Sequence, residues 1–121
     1  FPYTTLFRSK DEKQKKARPE IVGKVAKFAQ YDTVFIGYPN WWGDMPMPVY
    51  TFLESYDFAD KNVVPFCTHE GSGMGGTENN VKNAAKGGKA LKGLAIYGHT
   101  AQKERAEAEK TVTEWLKKLG F

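Results

Sequence analysis

Apolar residues follow two spacings along the chain, one typical of strands and one typical of helices. Short apolar runs at Thr33–Tyr38, Asn62–Thr68 and Leu94–Tyr97 predict three strands, the first of them buried on both faces of a sheet. Pro65 lacks an amide proton, which weakens the second of these predictions. Strands that alternate with helices predict an α/β fold with three layers: a parallel sheet and helices on both of its faces.

Four helices are predicted from apolar residues at intervals of three and four. We expect the first to begin at Pro19, the second to open at Pro46–Pro48, and Thr77 to cap the third. The fourth, Gln102–Leu119, has the strongest pattern, and Gly120 ends it. The four apolar faces are Ile21, Val22, Val25, Phe28 and Ala29; Val49, Phe52, Leu53 and Tyr56; Val81, Ala84 and Ala85; and Ala108, Val112, Trp115, Leu116 and Leu119.

The N-terminal segment differs from the rest of the chain. Phe1–Ser9 has no clear period and is predicted to be non-native or disordered, whereas residues 10–121 are expected to form a single partial domain. Lys10–Arg18 is highly charged and suits either a loop or a helix. The net charge of +4 arises largely in Lys10–Lys27, which we interpret as a solvated helix face because no nucleic-acid motif accompanies it.

Composition excludes several classes of protein. The chain has 121 residues with 40% hydrophobic and 14% aromatic residues, enough for the core of one small domain. Its longest apolar run, Thr33–Tyr38, is far too short to span a bilayer, and no signal peptide is readable, so no membrane partner is expected. Cys67 is the only cysteine, which fits a cytoplasmic location without disulfides.

Two loops of unusual composition follow the first two predicted strands. Trp41 and Trp42 are adjacent, so at least one indole is expected to be exposed as a stacking surface for a flat ligand, unless both pack on helices. The second loop, Thr68–Gly76, has four glycines that allow backbone N–H groups to approach a ligand, although a flexible turn is an alternative. Ligands of parallel sheets bind at this carboxyl edge.

Cys67 and His69 were considered as reactive residues. Together they supply at most half of a zinc site, and we expect no metal site. A Cys–His nucleophile pair is an alternative, but Cys67 suits a small core residue better. No catalytic side chain is therefore assigned.

Three segments are specific when taken together: YDTVFIGYPNWWGDMPMPVYTFLESYDF, NVVPFCTHEGSGMGG and GLAIYGH. Their sequence resembles the flavodoxin-like family of bacterial flavoproteins, from about Arg18 to Phe121. The resemblance implies a doubly wound fold that binds FMN; flavodoxin itself is the known example of strand order 2-1-3-4-5 with FMN at the switch point. It also implies that the flavin ring contacts Pro39, Asn40, Trp41, Trp42 and Gly43 in the first loop, and Thr68, His69, Glu70, Gly71, Ser72 and Gly73 in the second.

The sequence also departs from this family. The three predicted strands correspond to the last three of the usual five, and the phosphate-binding loop has no counterpart, since Phe1–Ser9 contains no glycine. Each lost charge-assisted hydrogen bond costs about 1.5–3 kcal/mol, so we expect FMN to bind more weakly by orders of magnitude. Without the missing strands, Thr33–Tyr38 becomes an exposed edge, which predicts a homo-oligomer or a swapped assembly.

The sequence is consistent with two main functions. The first is FMN-dependent electron transfer, or reduction of a small acceptor, with redox proteins or that acceptor as partners. The second is a truncated flavodoxin-like remnant that binds FMN weakly or not at all and acts as an oligomeric interaction module. Nucleic-acid binding is a third hypothesis, against which the lack of a motif weighs.

Overall fold

The computed structural model describes residues 3–121. Its elements alternate between helices and strands as the sequence pattern predicts. In chain order they are α1 Tyr3–Gln14, a short 3-10 helix Phe28–Gln30, β1 Thr33–Pro39, α2 Met47–Ser55, β2 Asn62–His69, α3 Thr77–Ala84, β3 Lys89–Ala90, β4 Leu94–Tyr97, α4 Gly98–Lys103 and α5 Arg105–Leu119.

The sheet has four parallel strands with β2 at its centre. β1 runs along one side of β2 from the pair Thr33–Asn62 to the pair Pro39–Thr68. On its other side, β2 pairs first with β3 and then with β4. α2 and α3 cover one face of the sheet and α5 lies on the other. The predicted parallel α/β fold is confirmed, with β3, which has only two residues, as an additional strand.

Pro65 is tolerated in the central strand because of where its nitrogen points. Val63 O accepts a hydrogen bond of 2.9 Å from Leu91 N, on the side of β3 and β4. The backbone N–H and C=O groups of alternate residues in a strand bond to opposite neighbouring strands. The backbone nitrogen of Pro65 therefore points to the same side of β2 as the backbone groups of Val63. There it lies between the residues that pair with β3 and those that pair with β4. The missing amide proton therefore falls at an interruption of the hydrogen-bond ladder.

The core lies between the sheet and the helices α2 and α3. The predicted faces of these two helices are confirmed, since Leu53 and Val81 are fully buried and Val49, Phe52, Tyr56 and Ala84 pack against the core. Its buried residues are Ile36, Tyr38, Met45, Leu53, Phe58, Val63, Cys67, Val81 and Ala85. Aromatic rings fill one end, where Phe28 lies 4.4 Å from Tyr56 and 5.2 Å from Phe58 between centroids.

The predicted helix that begins at Pro19 is wrong. Residues 19–27 are irregular, with Val22 fully exposed and Gly23 at φ +83°. The segment is instead tied to α2 by its backbone: Thr51 Oγ1 donates to Pro19 O at 2.8 Å, and Val25 N donates to Tyr56 OH at 2.9 Å. These tertiary hydrogen bonds replace the ones that a helix would form internally.

The prediction that β1 is buried on both faces is also wrong. Phe35 is 42% exposed and Phe66, on the neighbouring strand, is 41% exposed. Both lie on the α5 side, where a cavity of about 470 Å³ separates the helix from the sheet. The apolar face of α5 is consequently only half-buried.

Two predicted helix boundaries change. The fourth helix is divided at Glu104 into α4 and α5, while Gly120 ends α5 at φ +93° as predicted. Thr77 is the first residue of α3 and not its cap; Gly76 holds that position. The Thr77 hydroxyl is used elsewhere, because it donates to Met74 O at 2.6 Å.

The N-terminal predictions have mixed outcomes. The charged segment Lys10–Arg18 is predicted as either a loop or a helix. Its first part is helical, since α1 extends to Gln14. Residues 1 and 2 lie outside the described residues, and residues 3–9 belong to α1. Whether residues 1–9 are native stays a prediction. None of the helices within residues 3–121 combines the length and apolar character needed to cross a membrane.

β1 forms one edge of the sheet within the described residues. An apolar groove flanks this edge on each face: the cavity below α5, and a second of about 370 Å³ beside α2. Phe35 lines both grooves, and Ile21 closes part of the second. The exposed edge expected from the sequence is therefore present.

Tyr38 joins β1 to the start of α3. Its side chain is 5% exposed, and its hydroxyl donates to Thr77 Oγ1 at 2.9 Å. Burial raises the pKa of Tyr38 to about 12, with the hydrogen bond to Thr77 acting in the opposite direction. The folded structure therefore contains Tyr38 in its neutral, protonated form.

This burial makes stability depend on alkaline pH. The unfolded chain ionises Tyr38 near pH 10 and the folded chain near 12, so its contribution, about 3 kcal/mol, is complete below pH 10 and lost as the pH rises towards 12. We expect Tyr38→Phe to lose less free energy of unfolding over this range in urea titrations. Identical pH slopes for the two proteins would contradict this assignment.

Candidate functional site

The two loops singled out in the sequence meet at the carboxyl edge of the sheet. Parallel pairing of β1 with β2 places Pro39 beside Thr68, and Asn40 N donates to Thr68 O at 2.8 Å. A cleft of about 310 Å³ opens between the loops. It is lined by Pro39, Asn40, Trp41, Trp42, Thr68, His69 and Glu70, all of which are among the eleven predicted residues.

The first loop contains a tight turn from Trp41 to Asp44. Trp41 N donates to Asp44 O at 2.8 Å and Asp44 N donates to Trp41 O at 3.0 Å. The two central residues, Trp42 and Gly43, have φ values of +58° and +77°. Glycine adopts this conformation easily, but a tryptophan held there is strained, and such strain is concentrated at functional sites.

Asp44 anchors this turn to the core. Its carboxylate is 8% exposed and accepts hydrogen bonds from Met45 N at 2.8 Å, Asn80 Nδ2 at 2.9 Å and Tyr50 OH at 2.8 Å. Burial, together with the hydrogen bond to Asp44, raises the pKa of Tyr50. Arg18 lies over the other side of this ring, with its guanidinium carbon 4.6 Å from the Tyr50 centroid.

The second loop is held by its own side chains and by the first loop. Gly71 N donates to His69 Nδ1 at 2.9 Å. Asn40 Nδ2 donates to Gly73 O at 2.8 Å, so the amide of the first loop bridges to the second. The other end of that amide, Asn40 Oδ1, is buried and has no hydrogen-bond partner among the described residues. It is an acceptor that a ligand donor could satisfy.

The remaining predicted residues shape the loops instead of lining the cleft. Gly43, Gly71 and Gly73 have positive φ values of +77°, +129° and +64°, which a residue with a side chain rarely adopts. Ser72 is exposed beside them.

α1 reaches the tryptophan turn, which sequence reasoning did not anticipate. Lys13 Nζ donates to Trp42 O at 2.6 Å, and Lys10 Nζ lies 5.2 Å from the centroid of the Trp42 ring. Trp42 remains 47% exposed. Two lysine side chains that were not among the predicted site residues therefore lie at the wall of the cleft that contains the Trp42 indole.

The anchoring role of Asp44 was also missed. Its position directly after Gly43 in the sequence marks a turn, but its partners Tyr50 and Asn80 lie in two different helices. Only the packing of α2 against α3 brings them together, so no local signal could have identified them.

Cys67 and His69 do not form a reactive pair. Cys67 is buried, burial raises the pKa of its thiol, and its Sγ lies 3.5 Å from Met74 Sδ. His69 instead accepts a hydrogen bond from Gly71 N, and its ring lies 5.8 Å from that of Tyr97 at a tilt of 54°. Within residues 3–121, no group of three or more His, Cys, Asp or Glu side chains is placed to hold a metal ion.

Comparison with known proteins agrees with the fold and the loops. The family model described as flavodoxin matches residues 6–119, and the chain belongs to the flavodoxin family. The resemblance recognised in the sequence is thereby confirmed. No curated protein matches the chain significantly.

Similar solved structures are flavoproteins. A proposed flavoprotein from Bacteroides uniformis ATCC 8492 is 34% identical, with a TM-score of 0.69, and the match covers 83% of this chain and 66% of that protein. One from Bacteroides eggerthii DSM 20697 is 33% identical, with a TM-score of 0.68 and coverages of 87% and 67%. A flavoprotein from Lactobacillus acidophilus NCFM, solved in complex with FMN, is 26% identical, with a TM-score of 0.63 and coverages of 85% and 69%. The chain thus spans about two thirds of the length of these proteins.

Replacing the anchor of the tryptophan turn should destabilise the protein. In Asp44→Ala, three buried or half-buried donors lose their acceptor, and we expect the free energy of unfolding in urea to fall by about 1–3 kcal/mol. Asp32→Ala, at an exposed carboxylate, is the matched control and should change it by no more than about 0.5 kcal/mol. Equal stabilities of the two variants would show that Asp44 does not hold the turn.

Proposed function

We propose that this chain binds the flavin ring of FMN between its two loops. The observation that carries the proposal is the cleft at the ends of β1 and β2, in which all seven lining residues come from the two loops that the family resemblance assigns to the ring. The family of this chain, together with a similar flavoprotein solved in complex with FMN, supports the choice of cofactor.

The residues present fit a flavin ring better than a whole FMN molecule. Small-molecule sites usually have volumes of about 300–1,000 Å³, and this cleft, at about 310 Å³, lies at the lower end. The buried acceptor Asn40 Oδ1 matches the ring N–H of a flavin in chemistry. The indole of Trp42 is half-exposed and offers a flat apolar surface for stacking.

Each loop would contribute a different kind of contact. Trp42 would stack on the ring and exclude water from it, while Asn40 and backbone N–H groups of the second loop other than that of Gly71 would bond its polar edge. Bound FMN supplies one- and two-electron redox chemistry, and the protein tunes its potential through such contacts. No side chain is required as an acid or a base.

The cellular role proposed here is electron transfer, or reduction of a small acceptor. A half-exposed stacking residue leaves the ring near the surface, where a redox protein or a small acceptor can approach it. A cytoplasmic location belongs to this proposal, since the only cysteine, Cys67, is a buried thiol. Cell fractionation that places the protein in an oxidising compartment would count against that part.

A second candidate function rests on the open edge of the sheet. β1 is flanked by apolar grooves on both faces, and exposed apolar edges pair readily with other chains. On this alternative, the chain is an oligomeric flavodoxin-like interaction module whose flavin affinity is weak or absent.

A flavin titration tests the proposed ring site. We expect FMN and riboflavin to quench similarly and weakly, because both present the same ring, and Trp42→Ala to weaken both by roughly tenfold through loss of stacking. Trp115→Phe on α5, which lines the other cavity, is the control and should leave binding unchanged. Quenching by neither flavin would reject the ring site, and much tighter binding of FMN would reveal a phosphate anchor.

The open edge makes a separate prediction about assembly. We expect light scattering at micromolar concentration to give at least the mass of a dimer, and Phe35→Lys to shift the protein towards monomer by placing a charge in both grooves. Val22→Lys changes a fully exposed apolar residue outside the strands and should have no effect. A monomeric wild-type chain would contradict assembly through β1.

A further inference from the structure

His69 holds the second loop through a single ring nitrogen. It is the last residue of β2, and its Nδ1 accepts a hydrogen bond of 2.9 Å from Gly71 N. Gly71 has φ +129°, a conformation that favours glycine, so the turn from His69 to Gly71 depends on this residue being glycine. The ring is further positioned by Tyr97, whose centroid lies 5.8 Å away.

This hydrogen bond is compatible with only one protonation state of the imidazole. A neutral imidazole has one donor nitrogen and one acceptor nitrogen, and an acceptor at Nδ1 requires that the proton be on Nε2. A second proton would have to bind Nδ1, which would then be a donor facing another donor, the Gly71 N–H. Protonation of His69 and closure of this turn therefore exclude each other.

The turn is connected to both walls of the flavin cleft. His69 and Glu70 line the cleft directly. Two residues after Gly71, Gly73 O accepts the hydrogen bond from Asn40 Nδ2 that ties the second loop to the first. The hydrogen bond that His69 accepts and the bridge between the two loops are therefore only two residues apart along the backbone.

We propose that His69 is a positioning residue that closes the Gly71–Gly73 loop only while its imidazole is neutral, so that acidification opens the loop and releases the flavin ring. The binding part of this inference rests on the proposed function, whereas the coupling between His69 and Gly71 is a property of the free chain. The step involves one proton, which moves between solvent and Nδ1.

The charged and titratable groups around His69 come from three directions. Glu70 follows it in the chain, with its carboxylate against Gly98. Tyr97 lies between His69 and His99, and its ring is 5.8 Å from that of His69 and 6.4 Å from that of His99. Lys10 and Lys13 contact Trp42, another residue that lines the cleft.

Riboflavin binding as a function of pH tests the proposal. Riboflavin is the probe because it lacks the phosphate of FMN, which titrates near pH 6. Between pH 8 and pH 5, the range in which an imidazole titrates, we expect the affinity of the wild-type chain to fall by roughly tenfold. Equal affinity at the two pH values would overturn the proposal.

Two histidine variants isolate the cause. In His69→Gln, the side-chain carbonyl can still accept from Gly71 N but does not titrate, so we expect riboflavin binding to lose its pH dependence, whatever its affinity at pH 8. His99→Gln removes the only other histidine and should retain the wild-type pH dependence. A pH dependence that survives in His69→Gln, or disappears in His99→Gln, would assign the effect to another group.

Nuclear magnetic resonance of the free chain decides the coupling without any flavin. The ¹⁵N shifts of His69 should show the Nε2–H tautomer at pH 8, and the Gly71 amide resonance should move with the same midpoint as the His69 ring. If the Gly71 amide does not follow His69, the inference is wrong whether or not flavin binds. If it does follow His69 but riboflavin binds at no pH, the coupling stands and the proposed function fails.

Discussion

The parallel pairing of β1 with β2 is the constraint on which the candidate site depends. It aligns Pro39 with Thr68, so both strands end at the same level and their loops leave side by side. The hydrogen bond from Asn40 N to Thr68 O extends the ladder one residue beyond β1 and brings the first loop against the second. A shift of one residue in this register would turn the side chains of β1 to the opposite face and separate the loops.

Around this pairing, the cleft is built from unfavourable local conformations that distant contacts maintain. Trp42 has a positive φ, which costs about 1–3 kcal/mol, and the turn that contains it persists because Asp44 is bonded to Tyr50 and Asn80. The second loop uses glycines instead and incurs no such strain. The tryptophan turn is therefore held by the core, whereas the Gly71–Gly73 segment is held by His69, by the Asn40 amide and by a longer contact from Cys67 Sγ.

The sheet is well covered on one face and open on the other. α2 and α3 cover the first face. Val63 of the sheet and Val81 of α3 are consequently almost inaccessible to solvent. On the second face, the Trp115 ring contacts Phe35 and Phe66 at centroid distances of 6.2 and 6.3 Å, and a cavity beside these rings leaves both phenylalanines partly exposed. Within residues 3–121, the sheet therefore combines an open apolar face with β1 as an edge strand.

The sequence alone determined the elements whose signal is local. The apolar runs predicted β1, β2 and β4 to within one residue, and the spacing of Leu53 and Val81 identified the buried sides of α2 and α3. The composition of the two loops marked the segments that border the cleft. Tertiary structure decided the rest. Residues 19–27 are not helical, and their backbone bonds instead to Thr51 on α2 and to Tyr56 directly after it. β1 is exposed on one side because a cavity separates much of it from α5. The anchoring of the tryptophan turn by Asp44 and the joining of the loops by Asn40 also depend on partners far away in sequence. Periodicity records which residues avoid water, but it carries no information on which distant donor will meet which acceptor.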